Sequence, residues 1–294
     1  MIWIFWVLGV LLCLASAALF RSEYEKKHPV ITYYEVPSSK LPQSFDGYRI
    51  LFLSDLHGTD FSENREDFLR MIRETPYDAV LMGGDMVTVK HNKKDFSFFE
   101  EMLSAISEGT PIFMGRGNHE LRMRMKAASY PGWEHEFLAI LRAHHVTYLE
   151  GTSDVIEKDG EKIGIYGTEV PSAYYLAGRK RTFEPEKVKA LPERDGLFHV
   201  VMLHSPLYRE EISEAGADLS LSGHFHGGTV YLGPLGGLMT PQYQFFSKNC
   251  RGMEQYGDCY SIVSAGLGTH SINIRLFNKP EIVLVTLKRV EHAD

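Results

Sequence analysis

Residues Met1 to Phe20 carry 18 apolar side chains, with only Gly9 and Ser16 between them, and no charge. A helix rises about 1.5 Å per residue, so this run would span about 30 Å, the thickness of a bilayer core. It has no polar face, and a core helix of this kind would need protein on every side. Trp3 and Trp6 stand at one end, where an interfacial indole is favoured. A cleaved signal peptide is the competing reading, since Ala15-Ser16-Ala17 has a small-x-small pattern, but no Lys or Arg precedes the apolar run. The pattern therefore predicts a transmembrane anchor over residues 1–20, a polar stalk over 21–28 and one folded domain over 29–294. Arg21, Lys26 and Lys27 follow the anchor, a weak basic bias that favours a cytoplasmic domain over an outward-facing one.

Beyond the stalk the pattern changes. Pro29 to Pro37 alternates and is bounded by prolines, as suits an edge strand. Short apolar runs then predict strands at Arg49–Ser54, Ala79–Met82, Ile112–Met114, Lys162–Tyr166, His199–Leu203, Leu219–Ser222, Tyr260–Ser264 and Glu281–Leu287. Helices are predicted at Glu63–Glu74, Asp95–Ser107, Trp133–His144, Pro185–Ala190 and Tyr208–Ala215. In the third of these, Trp133, Phe137, Ile140 and Leu141 make an i, i+4, i+7, i+8 stripe. Strands alternating with helices imply βαβ units around a buried sheet. No repeat or low-complexity linker divides the region after Pro29.

Composition narrows the function classes. With 31 Lys+Arg against 38 Asp+Glu the formal charge is −7, so no broad basic surface for nucleic acid is expected. A hydrophobic share of 44% argues against disorder. Three cysteines exclude a disulfide scaffold; Cys250 and Cys259 would pair only in an outward-facing domain, and reduced thiols are the simpler reading.

The chemistry collects behind the apolar runs. ILFLS is followed by Asp55-Leu56-His57, AVLMGG by Asp85, IFMGRG by Asn118-His119-Glu120, HVVML by His204, and DLSLSG by His224-Phe225-His226. In α/β sheets ligands bind beyond the carboxyl ends of strands, so five strand ends bring these polar side chains to one edge. Imidazole, carboxylate and amide donors without thiolate suit Mn, Fe or Zn. Seven candidate ligands are too many for one tetrahedral ion and fit two ions that share a carboxylate. His91, His135, His144, His145, His199 and His270 show no such pattern and read as ordinary residues.

Together, Asp55-Leu-His57, Gly84-Asp85, Gly117-Asn118-His119-Glu120, His204 and Gly223-His-Phe-His-Gly-Gly228 resemble the calcineurin-like metallophosphoesterases, in order, from about Tyr48 to the C-terminus. The anchor, the LMTPQYQFFSKN segment and the late GLGTHSINIRLFNKPEIVLVTL are most similar to the bacterial membrane-linked branch of YkuE-like and YaeI-like phosphodiesterases. The resemblance implies an α/β fold, a four-layer αββα sandwich of two mixed sheets. It implies that Asp55, His57 and His226 hold one metal, Asn118, His204 and His224 a second, and that Asp85 bridges them. Two divalent ions, with Mn favoured over Fe or Zn, would then supply a shared activated water that attacks phosphorus.

His119, beside Asn118, is the candidate to protonate the leaving oxygen or to stabilise the transition state, with a supporting structural role as the alternative. Arg116 is a candidate for a phosphate oxygen, with simple solvation as the alternative. Glu120 is expected to cap a following helix. Tyr243, Phe245 and Phe246 either form a lip toward lipid or pack under the site. Specificity is expected in Tyr130–Ala139, Val170–Glu184 and Thr240–Tyr256. The expected activity is hydrolysis of a phosphodiester or pyrophosphate in a small-molecule or lipid-linked substrate, such as a UDP-diacylglucosamine-like glycolipid. A Ser/Thr-type protein phosphatase is the alternative within enzymes, and a membrane-tethered metal-binding scaffold the alternative outside them. No protein partner is evident from the sequence.

Overall fold

A computed structural model describes residues 2–89, 94–176, 178, 180–269 and 272–291. The first element, α1 (Ile2–Lys27), is one continuous helix, long and apolar enough to cross a membrane. Its large apolar side chains up to Phe20 are all more than half exposed. Residues 21–27, expected as a stalk, are its last two turns, and there Ser22 and Glu25 are buried. The membrane-length part of α1 thus stands clear of the domain, and its polar end is held by it.

The next elements are β1 (Val30–Ser38), β2 (Arg49–Leu53), α2 (Arg65–Glu74), β3 (Ala79–Met82), α3 (Ser97–Ser104), β4 (Ile112–Gly115), α4 (Asn118–Met125), α5 (Trp133–Ala143) and β5 (Val146–Leu149). Then follow β6 (Ser153–Lys158), β7 (Glu161–Thr168), β8 (Phe198–Leu203), α6 (Arg209–Ala215), β9 (Leu219–Ser222), β10 (Gly237–Met239), β11 (Phe245–Ser247), β12 (Gly252–Tyr256), β13 (Cys259–Val263) and β14 (Glu281–Arg289).

The first sheet runs β1-β14-β2-β3-β4-β5 and the second β12-β13-β9-β8-β7-β6. Both are mixed: β2, β3, β4 and β5 are parallel but β14 is antiparallel to β2. The middle of the second sheet is parallel, with antiparallel edges β12 and β6. Side chains alternate between faces with period two. Ile50 and Phe52 join Leu81 and Phe113 against Ile163, Ile165, Val200 and Met202, a core between the sheets. Leu51 and Leu53 point the other way and pack under α2, α3 and α5. Val201 and Leu203 on the far face of the second sheet pack against Tyr208 and Ile212, the latter on α6. The result is four layers, helix on sheet on sheet on helix.

The strands missed by the sequence pattern within the two main sheets are β5, β6 and β12, edge strands in each case. In β6 only Ile156 is buried, so the apolar alternation that marks a half-buried strand is absent. Pro185–Ala190, expected as a helix, makes only a 3₁₀ turn at Pro185–Lys187. Lys189 instead exchanges backbone hydrogen bonds with Glu169, at 3.0 and 3.2 Å, and this pairing overrides local helix propensity. Cys250 and Cys259 are free, buried thiols.

Candidate metal centre

The carboxyl ends of the two sheets meet. From the first sheet, Asp55 and His57 follow β2, Asp85 follows β3, and Asn118 opens α4 after β4. From the second, His204 follows β8, and His224 and His226 follow β9. The seven candidates therefore come not from one sheet edge but from two facing ones.

The loops are bent to deliver them. Asp55, His57, Asp85, His224 and His226 all have φ between +48 and +66°, a left-handed conformation that costs a non-glycine residue about 1–3 kcal/mol. Cross-links hold these bends. Asp55 N–H donates to Gly84 O at 3.0 Å, His224 N–H to the Asp55 carboxylate at 2.9 Å, and His119 N–H to Asp85 Oδ1 at 2.7 Å. The backbones also approach closely. A Cβ on Gly84, where φ is +93°, would lie 2.4 Å from Gly117 N, and one on Gly223 would lie 2.1 Å from Asp55 Oδ2.

Ligand-type atoms of Asp55, His57 and His226 lie within 4.8 Å of one another, as do those of Asp85, His204 and His224. A third grouping unites His57, Asp85 and His119, so Asp85 stands between the two sides. Asp85 Oδ2 is 3.5 Å from His57 Nε2 and 3.3 Å from His204 Nε2, and Asp55 Oδ1 is 3.4 Å from His226 Nε2. His204 Nδ1 is tied to Gly83 O at 2.8 Å and His226 Nδ1 to Gly268 O at 3.0 Å. Each carbonyl accepts from Nδ1–H and so turns Nε2 inward, the orientation of a metal-binding histidine. Asn118 Oδ1 is buried without a hydrogen bond. Such an atom is costly to bury unless a cation satisfies it, and the donor set fits divalent metal.

Two carboxylates buried this close cannot titrate normally. Burial pushes Asp55 up to about 6, while the charged histidines around Asp85, His204 foremost, outweigh burial and hold Asp85 well below the usual carboxylate range. Glu120 is pushed up to about 7, first by burial and then by Asp85. It sits at the start of α4, where it caps Gly117 N–H at 3.0 Å, and it also accepts the N–H of Asp85 at 2.9 Å and of Val87 at 3.3 Å. The expected cap is thus also a clamp on the Asp85 loop.

His119 is fully buried and its ring packs edge-on to His57 at 4.7 Å. Its Nδ1 accepts the N–H of Val89 at 2.9 Å, so the neutral ring carries its proton on Nε2.

Arg116 is held within the protein and is not simply solvated. Its guanidinium is buried and forked between Glu150 Oε1 at 2.7 Å and Glu169 Oε2 at 2.5 Å, which ties the segments after β5 and β7 to the end of β4. Both contacts are charge-assisted and offset the cost of burying the guanidinium. His135, His144 and His145 lie outside the centre, and His199 Nε2 lies 2.9 Å from Asp195 Oδ1. His91 and His270 lie outside the described residues.

Beside His224 and Asn118 opens a cavity of about 650 Å³. Leu121, Met125, Leu176, Pro241, Tyr175 and Tyr243 supply apolar surface, and Arg122 and Lys126 supply charge. It draws on the second and third of the expected specificity segments, but Tyr130–Ala139 does not line it and forms much of α5 instead. Arg122 and Lys126 escaped notice in the sequence, although i+4 and i+8 from Asn118 is one helix face. Tyr175 packs edge-on to His224 at 5.3 Å, and burial followed by the Asp85 charge raises its hydroxyl pKa, so it stays protonated. Nothing in the sequence pattern distinguishes it from the surrounding loop.

This fold and this centre define a metallophosphoesterase. The family model for the calcineurin-like phosphoesterases matches residues 48–228, and the chain belongs to that family. It is a metal-dependent phosphoesterase. Among curated proteins it is similar to the uncharacterized metallophosphoesterase YkuE of Bacillus subtilis, 26% identical over 278 residues, covering 91% of this chain and 88% of that one. Phosphodiesterase YaeI of Escherichia coli is 26% identical over 242 residues, 82% of each chain. A transmembrane protein with metallophosphoesterase domain from Danio rerio is 24% identical over 287 residues, covering 95% of this chain and 62% of that one.

Proposed function

We propose that the protein is a membrane-anchored, dinuclear phosphohydrolase that cleaves a phosphodiester or pyrophosphate bond in a lipid-linked substrate, of which a UDP-diacylglucosamine-like glycolipid is one example. In this reading Asp55, His57 and His226 hold one ion, Asn118, His204 and His224 a second, and Asp85 serves both, with Mn the favoured metal. When bound, such ions polarise phosphoryl oxygens and lower the pKa of a shared water. His119 offers its Nε2 proton to the oxygen of the leaving group, and the N–H of Val89 keeps that proton on Nε2. Arg122 and Lys126 attract the anionic part of the substrate.

The observation that carries the substrate class is the cavity beside the centre. It pairs two cations with an apolar wall, which suits an anionic head joined to an apolar chain. Tyr243 in that wall is exposed, and Phe245 and Phe246 just beyond it stand out on the β10–β11 hairpin. A backbone ribbon links this lip to the anchor. The Phe245 strand pairs with Gly237–Met239, Gly237 bridges to Tyr231, Val230 bridges to Leu276, and the neighbouring Asn278 N–H donates to Glu25 on α1. Exposed Leu235, Leu238 and Phe277 lie along the same ribbon. An aromatic lip joined in this way to an apolar helix suits entry from a membrane surface. Lys26 and Lys27 at the helix end favour a cytoplasmic domain.

The test is hydrolysis by the purified full-length protein in detergent with Mn²⁺. Substrates are bis-p-nitrophenyl phosphate, a nucleoside-diphosphate lipid, its deacylated analogue and a phosphoserine peptide. The expected order places the acylated substrate first by kcat/KM. Preference for the peptide would make the protein a protein phosphatase, and no hydrolysis with metal bound would make it a scaffold.

A further inference from the structure

The polar end of α1 is bound into the loop that shapes one side of the metal centre. Ser22, Glu25, Arg275, Asn278 and Glu281 are each at most 1% exposed. Such burial of polar groups demands partners. Ser22 Oγ accepts the N–H of Arg275 at 3.0 Å, and Glu25 Oε2 accepts the N–H of Asn278 at 2.8 Å. The two acceptors are three residues apart, on one face of the helix, and they fix the two ends of the Arg275–Asn278 segment.

That segment reaches the centre by two routes. The Arg275 guanidinium donates to the carbonyls of Ala265 at 2.8 Å and Gly266 at 2.9 Å, and also to that of Gly268. Gly268 O holds His226 Nδ1, Gly268 N–H donates to Asp55 O at 2.6 Å, and Leu267 N–H donates to Ser54 O at 3.0 Å. A Cβ on Gly266 would lie 2.8 Å from that of Asp55, so this loop is the wall behind Asp55. By the second route, Asn278 Nδ2 donates to His226 O at 2.7 Å. Its Oδ1 accepts from Arg251 at 3.3 Å, Arg251 also reaches Glu281 at 3.2 Å, and Glu281 accepts the N–H of Ala265 at 2.7 Å. The late segment that stood out in the sequence is thus the connector between helix and centre.

We infer that Ser22 and Glu25, on the membrane-proximal end of α1, are positioning residues for the Asp55–His57–His226 side of the centre. They set the 265–268 loop, and through it the direction of His226 Nε2 and the seat of Asp55. The anchor is then more than a tether, because a displacement of its last two turns reaches the Asp55–His57–His226 side directly through two hydrogen bonds, and the Asp85–His204–His224 side only by way of Asp55, which holds the His224 N–H. The inference rests on the reading that this centre holds two ions.

The experiment uses the full-length protein in detergent micelles and four variants: Glu25→Ala, Glu25→Gln, Ser22→Ala and, as a control, Glu23→Ala. Glu23 is on the same turns but exposed, with its carboxylate paired to Lys26. Mn²⁺ binding is measured by calorimetry, with hydrogen exchange of the Leu267 and Gly268 amides and global unfolding measured in parallel. In Glu25→Ala one of the two sites should weaken by about 10-fold, the size of effect typical when a group orienting a metal ligand is lost. The other site, which is reached only through Asp55, should weaken less, and exchange at Leu267 and Gly268 should accelerate. Glu25→Gln, which keeps an acceptor oxygen, should recover most of the loss, and Glu23→Ala should match wild type. If Glu25→Ala does not fold, Ser22→Ala, which removes one acceptor, should show the same selective pattern in weaker form. Two wild-type affinities in a folded Glu25→Ala or Ser22→Ala, or equal weakening of both sites, would overturn the inference. Wild-type protein that takes up no Mn²⁺ would instead defeat the dinuclear reading itself.

Discussion

His204 Nε2 lies 3.3 Å from Asp85 Oδ2, and both side chains are shut off from solvent. Burial works against a charged imidazole there, but Asp85, with Asp55 behind it, outweighs burial and lifts His204 to about 10. The metal-free ring therefore keeps its proton at neutral pH, on the atom that a metal needs. A cation must displace that proton, so its apparent affinity should strengthen as pH rises toward about 10 and weaken as pH falls. Calorimetry of Mn²⁺ binding in two buffers of different ionisation enthalpy should show proton release near pH 7. Affinity that stays constant between about pH 6 and 9 would contradict this coupling.

His119 and Asp85 should separate chemistry from metal uptake. His119→Asn should keep metal content and lower kcat by about 10²–10⁴, the usual worth of a placed proton donor. Asp85→Asn should lose metal and activity together, because Asp85 belongs to both sides of the centre. Metal analysis and turnover measured on the same preparations decide the point, and full activity in either variant would remove its assigned role.

Gly223→Ala should damage the centre without replacing a ligand. The new Cβ would sit 2.1 Å from Asp55 Oδ2 and 2.3 Å from Ser54 Oγ, so the carboxylate must move. Overpacking of this kind typically costs about 1–3 kcal/mol. Urea unfolding of the metal-free protein should show that loss, and Mn²⁺ stoichiometry should fall. Wild-type stability with full metal loading would show that the loop yields freely.

Arg122→Ala should act on binding alone. Arg122 lines the cavity and lies one helical turn beyond Asn118. Loss of one charge-assisted contact should raise KM for an anionic diester by about 10-fold with little change in kcat. A fall in kcat at unchanged KM would place Arg122 in the chemical step instead.

Much of the centre was legible in the sequence because apolar runs mark the strands and the residue after each run lies at its carboxyl end. Asp55, Asp85 and His204 could be found in this way without coordinates. The edge strands β5, β6 and β12 could not: β5 is only four residues long, and β6 and β12 have no clean apolar alternation where one flank faces water. Arg116 was read from its neighbours in a glycine-flanked loop, yet its partners Glu150 and Glu169 follow two other strands. No local pattern reveals such a fork, since the choice among carboxylates depends on distances across the fold.

The same distinction holds for the whole chain. Sequence by itself determined that a bilayer-length apolar helix precedes an α/β domain, and that histidines and carboxylates follow its strands, since periodicity and spacing are local properties of the chain. Only the tertiary structure decided that two sheet edges face each other to bring these donors together, that Glu120 clamps the Asp85 loop, and that Ser22 and Glu25 grip the segment behind His226. These outcomes depend on which buried polar groups find partners. That is settled by packing between segments more than two hundred residues apart, as with Glu25 and Asn278.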